Sequence, residues 1–110
     1  MTEICRSSKI AKAISSNNII VKGIATVSKV ARKKGRQNRK YTNVCVQDIM
    51  FTFNNKKYYI SHCWLQQSDY PKQWRHQIVE GESYSIEFTF YPYHDAIDRN
   101  MYGMNICKVN

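Results

Sequence analysis

Seven cationic side chains stand within twelve consecutive positions of this chain: Lys29, Arg32, Lys33, Lys34, Arg36, Arg39 and Lys40. At that density the charges repel one another, and an incoming anion relieves the repulsion. Each cation docked on a phosphate also releases condensed counterions, so the chemistry implied is polyanion binding that weakens with salt. Gly35, Gln37 and Asn38 lie inside the run and suit a flexible polar loop. A second chemistry comes from aromatics. Bases of a single strand stack on exposed rings, each worth about 1–3 kcal/mol. Tyr41, Tyr59, Tyr91 and Tyr93 are the candidate platforms, with Lys57 and Arg99 assisting. Trp64 and Trp74 are expected where a small core and its plug need bulk, and Tyr84, Phe88 and Phe90 in the core itself.

Other chemistries lack their residues. Cys5, Cys45, Cys63 and Cys107 form no C-x-x-C pair, so neither a zinc ribbon nor a redox motif is expected. His62 and Cys63 are neighbours, and in a strand they point to opposite faces. His94, Asp95 and Asp98 beside Arg99 have the types of a metal-dependent nuclease site, but no motif joins them and a polar loop explains them equally. No glycine-rich phosphate loop is present. The expectation is a binding protein rather than an enzyme, with no cofactor and no metal.

The composition limits what can carry these groups. The chain has 110 residues, 17 Lys and Arg against 8 Asp and Glu, and 43% hydrophobic side chains. That is one domain with a real core, not a disordered basic tail. Residues 1–47 hold eleven basic residues against Glu3, whereas residues 48–110 hold six against seven acids. The positive excess is therefore local. No apolar run is long enough for a membrane span, no amphipathic or lipidated element accompanies the basic run, and the start lacks a signal-peptide pattern. An intracellular, cytoplasmic protein with no membrane partner is expected.

The elements follow from periodicity. Residues 1–17 form a preamble: Ser7 or Ser8 caps a short helix carrying Ile10, Ala11 and Ile14. From residue 18 the domain proper begins. A first strand spans Ile19 to Val30, with Gly23 marking a bend or a close backbone approach. The basic loop follows, then a second strand from Tyr41 to Phe53, a turn at Asn54-Asn55, and a third strand from Lys57 to Leu65. In that hairpin Phe51 faces Tyr58, Ile49 faces Ile60 and Cys45 faces Trp64. Val44, Val46, Cys63 and Leu65 fall on the opposite face, so a bulge near Gln47-Asp48 is expected to switch sides. Ser68-Asp-Tyr-Pro71 opens a helix running to about Val79, closed by Gly81. A fourth strand, Ser83 to Tyr91, alternates with Tyr84, Ile86, Phe88 and Phe90 inward, and a fifth spans Met101 to Val109.

The order β-β-β-α-β-β, with Val21-Lys-Gly23-Ile-Ala-Thr-Val27, Gly35 and Tyr41 to Val46 leading into Asp48, resembles the OB-fold of nucleic-acid-binding domains. Single-stranded DNA-binding and anticodon-binding domains are of this kind. The resemblance implies a mostly β, small five-stranded barrel whose second and third strands, flanked by the 1–2 and 4–5 loops, bind oligonucleotides. Here those loops are Lys29–Lys40 and Tyr91–Asn100. The expected function is binding of single-stranded nucleic acid, DNA favoured over RNA, with little sequence preference. The alternatives are an accessory subunit of a replication, repair or translation assembly, alongside a polymerase, helicase or other nucleic-acid enzyme, and a phage or mobile-element inhibitor of such an enzyme.

Overall fold

A computed structural model describes residues 2–4, 8–93 and 101–110. Strand β1 (Thr2–Glu3) is followed by helix α1 (Lys9–Ser16), then β2 (Val21–Lys34), β3 (Lys40–Phe53), β4 (Lys56–Leu65), β5 (Ser83–Tyr93) and β6 (Met101–Val109). Short 3-10 turns lie at Arg36–Asn38, Gln67–Asp69 and Lys72–His76. The six strands form one curled sheet in the order β1-β4-β3-β2-β5-β6, antiparallel except for the β1–β4 pair. The chain is thus mostly β with one helix, in a half-barrel.

The β3–β4 hairpin follows from its turn. Asn54 and Asn55 both adopt positive φ, 50° and 63°, which asparagine tolerates and a two-residue hairpin loop needs. The register puts Phe51 opposite Tyr58, Ile49 opposite Ile60 and Cys45 opposite Trp64. The expected change of face occurs at Asp48, whose φ is +50°. Before it, Val44 and Val46 point into the core with Cys63 and Leu65; beyond it, Ile49 and Phe51 do so with Ile60 and Tyr58. The β2–β3 register shifts alongside, between Ile24 and Thr26 and again between Val27 and Lys29. These irregularities bend the two longest strands and let both halves keep their apolar residues inside.

Gly23 sits where β2 pairs with Phe51 on one side and Ile86 on the other. A Cβ there would lie 2.5 Å from the Met50 carbonyl oxygen and 3.1 Å from the Phe88 ring. Phe88 is fully buried, edge-on to Phe51 at 5.4 Å and to Phe90 at 5.7 Å. Helix α1 packs on β5 through Ala11 and Ile14, both without exposed surface, and Ser8 caps it by accepting the Ala11 N–H at 3.2 Å. The preamble helix therefore docks on the domain.

Three expectations are corrected. The helix over Ser68–Val79 is absent; 3-10 turns flank an extended Pro71 instead. Proline lacks an N–H and keeps Tyr70 extended, so no continuous helix passes through it. The spacing of Tyr70, Trp74 and Ile78 still buries all three. Strand count differs as well, because β1 adds beside Tyr58 and Tyr59. And the five-stranded closure is replaced by a half-barrel: among the described residues β4 and β6 share no hydrogen-bonded pairing. The chain leaving β4 packs against β3 and β6 and fills that end.

Replacing Gly23 with alanine tests the β2 crossing. The crowding costs about 1–3 kcal/mol, and Tm falls by about 4–8 °C per kcal/mol in a domain of this size. A melting curve superimposable on the wild type would contradict the close approach.

Candidate nucleic-acid interface

The segment Lys29–Lys40, expected as one long loop, is a β-ribbon. β2 continues through Lys34 and β3 begins at Lys40, leaving a turn closed by the Gly35 N–H donating to the Arg39 carbonyl at 2.6 Å. Gly35, Gln37 and Asn38 are turn residues, with Gln37 at φ 60°, but they occupy only the tip. Pairing carries Lys29 opposite Cys45, Val30 opposite Val44, Arg32 opposite Thr42, Lys33 opposite Tyr41 and Lys34 opposite Lys40. β-Branched Val30, Thr42 and Val44 favour the extended form, and Glu80 accepts the Val30 N–H at 2.7 Å. Composition concealed the strand because three consecutive cations, Arg32, Lys33 and Lys34, carry it into the turn.

Pairing makes the electrostatic problem sharper. Lys34 and Lys40 stand directly opposite, a like-charge pair that destabilises a ribbon. All seven cations are exposed, and among the described residues the ion pair formed is Lys108 with Glu87, far from them in sequence. Period-two alternation places Arg32, Lys34, Lys40 and Thr42 on one face and Lys29, Lys33 and Tyr41 on the other.

The base of the ribbon is held by the segment after β4. The Thr42 N–H donates to Gln67 Oε1 at 3.1 Å, and the Tyr70 hydroxyl donates to the Thr42 carbonyl at 2.7 Å. Tyr70 in turn lies edge-on to Trp74 at 5.6 Å, and the Arg75 guanidinium carbon stands 6.0 Å from the Tyr70 ring centroid. A groove of about 460 Å³ results, lined by Arg32, Lys33, Lys34, Lys40, Tyr41 and Thr42 from the ribbon and by Gln67, Arg75 and His76 across from it. Among the described residues no carboxylate lines it. Its lining is cationic and polar.

A second recess of about 380 Å³ adjoins it, sharing Lys33 and lined further by Asn43, Trp64, Asp69, Tyr91 and Gly103. Trp64 is 48% exposed there, on the outer side of the row Lys29–Cys45–Trp64. Tyr91 is half-buried: its hydroxyl donates to Asp69 Oδ1 at 2.8 Å, and its ring covers Gly103, where any Cβ would collide with it. Asp69 also accepts the Gln66 N–H at 2.8 Å, so its charge is spent on the fold.

The expected site residues therefore divide. Lys29, Arg32, Lys33, Lys34, Arg36, Arg39, Lys40 and Tyr41 stand together on the ribbon, and Tyr91 borders the adjoining recess. Lys57 lines a different depression, with Lys22, Ile24 and Met50. Tyr59 donates to Glu3 Oε2 at 3.2 Å, and that carboxylate raises its pKa above the ordinary tyrosine value. Tyr93 pairs through its backbone with Met101; its side chain and Arg99, like His94, Asp95 and Asp98, lie outside the described residues. Trp64 is corrected from core to surface. The switch of face at Asp48 already implied it, since a residue between inward Cys63 and Leu65 must point out. Arg75 and His76 had no such signal: a nearly neutral half of the sequence supplies them through a non-repetitive segment.

Among the described residues no three of His, Cys, Asp and Glu converge as metal ligands, and no helix is long and apolar enough to cross a membrane. Comparisons with protein-family models, curated proteins and solved structures find no match.

Burial raises the Tyr70 pKa above 10.0, opposed in part by Arg75. A hydroxyl whose folded-state pKa is raised gives full stabilisation below the unfolded value and loses it as pH rises through the folded one. Wild-type stability is therefore expected to fall above about pH 10, and Tyr70→Phe to flatten that fall. At neutral pH the same substitution costs about 0.5–1.5 kcal/mol, the lost bond to Thr42. Denaturant midpoints at pH 7 and across the alkaline range read both. Identical pH profiles for the two proteins would contradict the assignment.

Proposed function

We propose that the half-barrel is an OB-like module that binds single-stranded nucleic acid, DNA in the first place, with little sequence preference and without catalysing a reaction. The observation that carries this reading is a pair of depressions with Lys33 in common: a groove lined by cations and, among the described residues, no carboxylate, and a recess presenting an exposed indole. Single-strand binding needs those two parts together, a cationic track for phosphates and an aromatic face for bases. In the reading, the ribbon cations with Arg75 take the backbone, and Trp64, with Tyr41, stacks. The strand neighbours lend support. Apart from β1, the strands lie in the order β4-β3-β2-β5-β6 in a curled half-barrel, roughly consistent with a small β-barrel.

A second reading has its own observation. The ribbon carries cations on both faces, and a two-stranded ribbon can enter a duplex groove, where phosphates flank it on either side. The indole, which has no partner in an intact duplex, favours the single strand.

Fluorescence anisotropy with single-stranded and duplex oligonucleotides at two salt concentrations decides between them. Tighter binding of the single strand, weakening with salt, is expected, and Trp64→Ala lowers that affinity about tenfold, the loss of one stacked base. Equal or tighter binding of duplex, untouched by Trp64→Ala, would favour groove insertion. Affinity indifferent to salt would sink both.

A further inference from the structure

The groove is built from two unlike walls. On the ribbon, Arg32, Lys34 and Lys40 are exposed, each on a long stem with many rotamers. Opposite, Arg75 is half-buried: its Nε is enclosed without a hydrogen-bond partner, and the residue lines the groove. The Tyr70 ring beneath it is itself fixed, because the Tyr70 hydroxyl is bonded to the Thr42 carbonyl on the ribbon. The aromatic support of Arg75 is thus tied to the ribbon before any ligand arrives. No carboxylate among the described residues pairs with the guanidinium. A held, uncompensated guanidinium facing three further cations is a poor arrangement for stability alone. It is a good one for a phosphate, since little side-chain freedom remains to be lost on binding.

We propose that Arg75 is the fixed anchor of the groove, seating one backbone phosphate of the bound strand opposite Arg32 and Lys40, while the exposed ribbon cations contribute a diffuse and individually replaceable attraction. This rests on the reading of the groove as a single-strand track, and adds to it a defined position for one phosphate. Loss of Arg75 then costs more affinity than loss of any one ribbon lysine. Lysine cannot substitute fully, because an ammonium lacks the planar fork of donors that a guanidinium presents to a phosphate.

The test uses the full chain and a fluorescent single-stranded oligonucleotide, with affinity measured over a salt series for wild type, Arg75→Ala, Arg75→Lys and Lys34→Ala. Expected are a loss of about tenfold or more for Arg75→Ala, partial recovery for Arg75→Lys and a change under about threefold for Lys34→Ala. The slope of log affinity against log salt should flatten by about 0.7 for Arg75→Ala, one phosphate contact on a single strand. Competition with inorganic phosphate separates a seat for a strand phosphate from one for the free ion. Millimolar phosphate should displace the wild-type complex no better than chloride at equal ionic strength; specific displacement would overturn the assignment to the strand. Arg75→Ala binding like wild type, or losing affinity with an unchanged slope, would overturn the anchor while leaving the single-strand reading intact. A wild-type protein that binds no oligonucleotide at low salt would overturn both. Melting curves accompany each variant, and Arg75→Lys, which keeps the charge and most of the stem, carries the comparison if Arg75→Ala unfolds.

Discussion

The site depends on how the backbone of Thr42 is satisfied. At this position β3 has passed the end of β4, so no neighbouring strand remains on that edge to receive its N–H and carbonyl. Gln67 takes the first and Tyr70 the second. Two hydrogen bonds, each worth about 0.5–1.5 kcal/mol net, thereby tie a non-repetitive segment to the root of the ribbon. The shape of the groove follows from that tie. It places Arg75 across from Arg32 and Lys40, buries Trp74 and Ile78 over the end of the half-barrel, and stops the ribbon from standing free in solvent.

The second constraint is charge. Folding brings Lys34 against Lys40 and aligns five cations on paired strands, where a loop would have let them spread apart. The stability to tolerate this comes from elsewhere: the Phe51–Phe88–Phe90 contacts, the buried faces of β3 and β4, and α1 sealed onto β5. The interior is ordinary and tightly filled, and the strain is kept on one ribbon. On the proposed function a polyanion relieves it, which explains why the repulsion is retained in the free chain.

Much of this was legible in the residues. The Asn54-Asn55 turn, the pairing of Phe51 with Tyr58, the change of face at Asp48, the inward set on β5 and the capped preamble helix all follow from local patterns, because turn chemistry and period-two alternation act over a few residues. The failures have physical causes. A basic run reads as a loop when its strand character lies in pairing with a segment of equal length downstream. Tyr70, Trp74 and Ile78 carry helical spacing, yet Pro71 forbids the helix and tertiary burial keeps the spacing anyway. Arg75 reaches the groove only through side-chain bonds to Thr42, a contact spanning the whole β4 strand and invisible to any local pattern.

On the proposed function, groove and indole form one track for a single strand. This is tested most directly by mapping amide and indole NMR shifts on titration with an unstructured oligonucleotide. Shifts are expected to cluster on Lys29–Lys34, Lys40–Asn43, the Trp64 indole and Arg75–His76, and to saturate together. Shifts confined to the opposite depression around Ile24, Met50 and Lys57, or a silent Trp64 beside a shifted ribbon, would contradict it.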